Sequence, residues 1–192
     1  MKTGFLSAAL LALVLSGAAT AAAVPDYVTQ AVADPTRPQA DIDRDALRLP
    51  AKTIAFAGVK PGMKLAELFP GGGYFTRPLS DVVGPSGHIY GIENAKWDDH
   101  DLHIGKYGVV DMAACNRHVY ESLANPGTGR AQIAALHRIQ KSQVIREVEA
   151  AGFKLAAQGD ALHRTTDDHT KSIFDKSVRG RTDQFMLKFA KP

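Results

Sequence analysis

Three consecutive glycines, Gly71–Gly73, stand directly behind the short apolar run "KLAELF" (64–69), and this junction limits the fold more than any other stretch of the chain. Glycines at a strand-to-helix turn let backbone N–H groups and the first helical turn face a ligand, because the side chains that would block its approach are missing. The pattern predicts a strand over 64–69 and a helix over about 74–83. A turn at "GPSG" (84–87) and a second strand at "HIYGIE" (88–93) follow. Strand, glycine loop, helix, turn and strand form the opening half of a nucleotide-binding α/β fold, in about thirty residues.

Two acids flank the loop. Glu67 stands near the end of the first strand, and Glu93 ends the second. A carboxylate at the second position can accept hydrogen bonds from both ribose hydroxyls of a nucleoside. The dinucleotide pattern G-x-G-x-x-G would need a glycine at position 76, where Thr76 stands. An acid at the end of the first strand suits S-adenosylmethionine better, since it can hold the ammonium of the methionine moiety directly or through water. Among the loop residues, Pro70, Gly71, Gly72, Gly73 and Tyr74 join Glu67 and Glu93 as candidates for cofactor binding.

The stretch "GVKPGMKLAELFPGGGYFT" resembles the opening of class I S-adenosylmethionine-dependent methyltransferases, with Glu67, Gly71 and Gly73 on the family's pattern and Phe69 at its usual first glycine. The resemblance extends to one branch, a family of exported, predicted methyltransferases of bacteria. It rests on "ADPTRP", "LPAKTIAFAGVKPGM", "PGGGYFTR", "HDLH", "LHRI" with "EVEAAGF", and "DDHTKSIFD…GRTDQF", in the family's order over most of the chain. The resemblance implies a Rossmann-like, three-layer αβα methyltransferase fold of about seven strands, with suspected S-adenosylmethionine as cofactor. It also places "HDLH" on the substrate side, which makes His100 and Asp101 candidates for acid/base or substrate contact. A histidine titrating near neutral pH suits proton removal from a nucleophile being methylated.

Only about four strands are recognisable, so the expected fold is an incomplete one. Between "GIEN" and "HDLH" only "AKWDD" intervenes, and "ESL" runs straight into "ANPGTG". Neither gap offers a further apolar run of strand length. The first strand is therefore expected to carry an unpaired edge, which invites self-association. Pro78, inside the first turns of the glycine-loop helix, is expected to kink it.

Elsewhere the punctuation sets the organisation. "MKTGFLSAALLALVLSGAATAAAVP" reads as a cleavable signal peptide over residues 1–23, too short in its apolar core to span a membrane, and implies export to the periplasm. Residues 24–48 read as an extended lead-in, and 49–192 as a single domain. Pro50 suits the first turn of a short helix that Gly58 stops, and "VVDMAACNRHVYESL" has helical spacing. Ser142 is placed to cap a helix that Gly152 closes, and two late strands, "FKLAAQGDAL" and "DQFMLKFAKP", end the chain. Arg138 and His137 read as helix-surface residues.

The formal net charge of +3 is spread along the sequence without a basic cluster, which argues against nucleic acid as a partner. A small-molecule substrate of unknown identity is expected instead. Cys115, the one cysteine, excludes an intramolecular disulfide and reads as a packing residue. "DDHDLH" (98–103) gives a metal-binding alternative, through His100 and His103 one helical turn apart among Asp98, Asp99 and Asp101. "DDHTKSIFD" (167–175) reads as a polar or salt-bridged connection between the last two strands, with a substrate gate as the alternative. A non-catalytic remnant of the fold, binding a nucleoside-like ligand or nothing, also accounts for a loop with few strands behind it.

Overall fold

The computed structural model describes residues 23–68, 70–92 and 117–192. Its elements run in the order α1 (Asp26–Val32), α2 (Gln39–Ile42), α3 (Asp45–Arg48), α4 (Pro50–Ala57), β1 (Lys64–Leu68), α5 (Thr76–Val83), β2 (His88–Ile92), β3 (Arg117–Ser122), α6 (Ile133–Leu136), α7 (Lys141–Ala150), β4 (Lys154–Gly159) and β5 (Gln184–Ala190). The described residues form an incomplete Rossmann-like α/β arrangement, a parallel βαβ unit and a separate antiparallel sheet.

The glycine-loop unit forms as its sequence dictates. β1 and β2 pair in parallel, Lys64 with His88 through Leu68 with Ile92, and α5 is the crossover between them. Val82 and Val83 of α5 are buried against Ile89 of β2. Pro78 is the third residue of α5, and the helix continues through it to Val83, as proline in a first helical turn allows.

The lead-in is not extended. Residues 26–48 carry three short helices, with Pro25 and Pro38 at the N-caps of α1 and α2. Proline fixes φ before a helical turn as readily as it does in an extended segment, so its presence did not separate the two. Val28 and Ala31 of α1 enter the same core as Ile54 of α4, Val82, Val83 and Ile89. Leu49 ends α3 and starts α4 in a left-handed conformation (φ 45°), which turns the chain sharply between them. Gly58 (φ 73°) closes α4 as the sequence predicts.

The second sheet has three antiparallel strands in the order β3-β5-β4, so the described residues carry five strands where the sequence reading recognises about four. β3 lies within the stretch that the spacing assigns to a helix. Its backbone pairs with β5 from Arg117 opposite Phe189 to Ser122 opposite Gln184, and this ladder outweighs the local periodicity. β5 is the central strand, buried along most of its length, while β4 alternates between exposed and covered positions as an edge strand does. Val144 and Val148 of α7 cover Phe185, Leu187 and Phe189 in a second core. Gln140, not Ser142, is the N-cap of α7, with no side-chain cap.

Among the described residues β1 pairs with β2 alone, and the two sheets share no ladder. Their halves meet through α4 and α3 instead. Lys188 Nζ of β5 donates to the Ala57 carbonyl at 3.3 Å, a cation at the C-terminus of α4. Arg164 Nη2 donates to the Leu47 carbonyl of α3 at 2.5 Å. Among the described residues no helix is long and apolar enough to cross a membrane.

Candidate functional site

The glycine loop turns on two left-handed residues, Gly71 (φ 51°) and Gly73 (φ 74°), conformations that residues with a Cβ rarely adopt. The Gly73 N–H donates to the Pro70 carbonyl at 3.0 Å and closes the turn. Gly72 is exposed, and a Cβ placed on it or on Gly71 would meet no atom within 4 Å. Among the described residues nothing stands in front of the Cα atoms of these two residues. Among the described residues the N–H groups of Gly72 and Tyr74 meet no acceptor. Of the two, Gly72 lies on the exposed side of the loop and Tyr74 is buried at the start of α5.

Glu67 stands one residue before the end of β1, opposite Gly91. Its carboxylate accepts from Thr76 Oγ1, on the first residue of α5, at 2.6 Å. Burial pushes its pKa up, against the opposing pull of the Thr76 hydrogen bond and of the Arg48 and Arg77 guanidiniums. Thr76, the residue that breaks the dinucleotide pattern, thus links the strand-end acid to the helix.

Pro70 is buried beneath the turn. Tyr74 is 3% exposed and its side chain faces the lead-in. Its hydroxyl donates to Asp45 Oδ1 at 2.6 Å, and the guanidiniums of Arg44 and Arg48 lie 4.8 and 4.4 Å from its ring centroid. Burial and the Asp45 carboxylate raise the Tyr74 pKa. Glu93, His100 and Asp101 lie outside the described residues, as do Phe69, Cys115 and the "DDHDLH" segment. Among the described residues no cluster of three histidine, cysteine or carboxylate side chains is suited to a metal.

The spacing did not reveal that α2 and α3 pack against this loop. Arg37 forms a two-pronged pair with Asp45, Nη1 to Oδ2 at 2.7 Å and Nη2 to Oδ1 at 2.8 Å. Burial works to raise the Asp45 pKa, but the Arg37 and Tyr74 hydrogen bonds outweigh it and hold the carboxyl below its ordinary range. Asp41, 2% exposed, accepts from Arg44 Nη2 at 2.6 Å and from Arg77 Nε at 2.8 Å, with a further contact from Arg77 Nη2. Arg77 Nη2 also donates to the Gly72 carbonyl at 2.8 Å. The alternation of acids and bases in "DIDRDALR" was the available signal.

A second polar cluster lies between β4 and β5. Arg138 is a core residue, 1% exposed, and not a helix-surface one. It holds Asp167 through Nη1 to Oδ2 at 2.8 Å and Nη2 to Oδ1 at 3.0 Å, and donates to the Lys171 and Leu123 carbonyls. Asp183 N–H donates to Asp167 Oδ2 at 2.7 Å. The buried Asp183 carboxylate lies 2.9 Å from His163 Nδ1 and 3.0 Å from His169 Nε2. "DDHTKSIFD" is thus a salt-bridged connection, with Asp167 and His169 turned inward and Asp168 exposed.

No protein-family model matches the chain, and no curated protein matches it. Among solved structures it is similar to a SAM dependent methyltransferase from Aquifex aeolicus, at 13% identity and a TM-score of 0.47, over 78% of this chain and 97% of that one. It is also similar to magnesium protoporphyrin IX methyltransferase from Synechocystis PCC 6803, solved with bound SAH, at 12% identity and a TM-score of 0.40, over 87% of this chain and 94% of that one. Neither likeness assigns a role to any residue here.

Proposed function

We propose that this chain holds S-adenosylmethionine at the Gly71–Gly73 loop and acts as a methyltransferase on a small-molecule acceptor. The observation that carries this reading is the loop itself, set between a strand-end acid and a helix start on a parallel βαβ unit, with no atom of the described residues where Gly71 and Gly72 lack side chains. The residues present fit the group. The N–H groups of Gly72 and Tyr74 would meet its carboxylate or hydroxyls, and Glu67 its ammonium. Glu93, by its place directly after β2, would take the ribose. When bound, the cofactor supplies an electrophilic methyl on a positively charged sulfur. The chain's part is to orient that group and keep water from it, which is where positioning supplies most of the rate. His100 and Asp101 are the proposed proton acceptors on the substrate side.

A non-catalytic binder is the second reading, and the sheet behind the loop, of two strands among the described residues, is the observation on its side. Calorimetric titration of the folded protein with S-adenosylhomocysteine separates the two from a protein that binds nothing. Binding is expected in the wild type and its loss in Gly72→Leu, which fills the open face. Methyl transfer to an acceptor pool from labelled S-adenosylmethionine then separates enzyme from binder. A folded wild type that gives no heat with either ligand overturns the cofactor reading.

A further inference from the structure

We propose that Asp41 is a positioning residue for the glycine loop, acting through Arg77. This inference rests on the cofactor reading above and extends it from the loop to the segment that sets its shape. The Gly72–Gly73 peptide unit is held from both sides. Its N–H is tied to the Pro70 carbonyl, and its C=O accepts from Arg77 Nη2 at 2.8 Å. Because the peptide is planar, fixing both groups fixes the direction of the unit, and the Gly72 and Tyr74 N–H groups lie one φ/ψ pair away on either side of it.

Arg77 could not do this alone. Its side chain is about one-third exposed, and a free guanidinium there would sample several rotamers. Asp41 supplies the constraint. Its carboxylate is 4% exposed and takes Arg77 on one oxygen and Arg44 on the other. Asp41 itself is seated on α2, next to the Arg37–Asp45 pair that receives the Tyr74 hydroxyl. The loop is thus gripped at Gly72 and at Tyr74 by carboxylates of one short segment, 41–45. A lysine at position 77 would keep the charge but lose the fork that reaches both Asp41 and the Gly72 carbonyl.

The test compares wild type, Asp41→Asn, Asp41→Glu and Arg77→Lys by S-adenosylhomocysteine titration and by amide exchange of Gly73. Asp41→Asn and Arg77→Lys are expected to weaken ligand affinity tenfold or more and to speed Gly73 exchange by a similar factor. Combining the two should add little to either alone, and Asp41→Glu should recover part of both losses. Exchange of Val82, Val83 and Ile89, in the core of the same half, should not move, which a loss of stability of that half would not allow. Affinity and Gly73 exchange within twofold of wild type in folded Asp41→Asn overturn the proposal. Should Asp41→Asn fail to fold, Arg77→Lys decides by the same two readings. A wild type that binds no ligand defeats the cofactor reading, and faster Gly73 exchange in the variants would still uphold the grip on the loop.

Discussion

Glu67 shows what one carboxyl contributes at the level of a single residue. Burial raises its pKa, and Thr76 only partly offsets this. A group whose folded pKa lies above its unfolded value takes up its proton first in the folded state. Its favourable contribution is complete below the unfolded value, about 4.3, and is lost as pH rises through the folded one. Glu67→Gln keeps a partner for the Thr76 hydroxyl without the buried charge. It is expected to raise stability at pH 7 by up to about 1 kcal/mol, with the gap to wild type closing below about pH 4. Urea unfolding midpoints across that range measure it. The same variant is expected to weaken S-adenosylhomocysteine binding, since the ammonium loses its counter-charge. At this scale the sequence was informative where chemistry is local. Gly71, Gly73 and Glu67 announced themselves by spacing, and the left-handed φ values explain why glycine is needed at two of them. Arg138 did not, because an arginine is almost never fully buried and its partner stands 29 residues away.

Among the elements, β1, α5, β2, α7, β4 and β5 were legible because each carries its own apolar pattern and its own stop signals. The helices α2 and α3, of four residues each, are too short to show a period, and ion pairs to other elements hold them. β3 was missed for a related reason, since its partner β5 lies more than sixty residues further on. The connection between β4 and β5 depends in the same way on Arg138. Arg138→Met leaves Asp167 buried without its cation, and the loss of one member of such a pair costs about 3–5 kcal/mol. Burial raises the Asp167 carboxyl's pKa, while Arg138 and the Asp183 and His169 amides lower it further, below its ordinary range. Stability from this carboxylate is therefore present above about pH 4 and lost as pH falls through its folded value. The variant is expected to unfold at lower urea, to lose part of that acid sensitivity, and to become cleavable by protease between residues 160 and 183.

On the scale of the whole molecule, two buried clusters stand apart, one under α1, α4 and α5 and one under α7 and β5. Among the described residues, the hydrogen bonds from Lys188 to Ala57 and from Arg164 to Leu47 join them. Such a division is expected to open in parts, not all at once. Phe189→Ala empties a fully buried site in the second cluster and is expected to cost about 3–5 kcal/mol there. Native-state hydrogen exchange should show faster opening of β3, β4 and β5, with Val82, Val83 and Ile89 near their wild-type protection. Equal losses in both halves would show a single cooperative unit.

The contact between Arg164 and Leu47 also governs the order of events as the chain is made. The helices that grip the glycine loop emerge early, yet one of their tethers arrives 117 residues later. Until then α3 has the loop beneath it and nothing from the second half above it. Closure over so long a separation is slow compared with forming the βαβ unit. A nascent chain stopped before residue 164 is thus a loop already shaped and a cover not yet fastened.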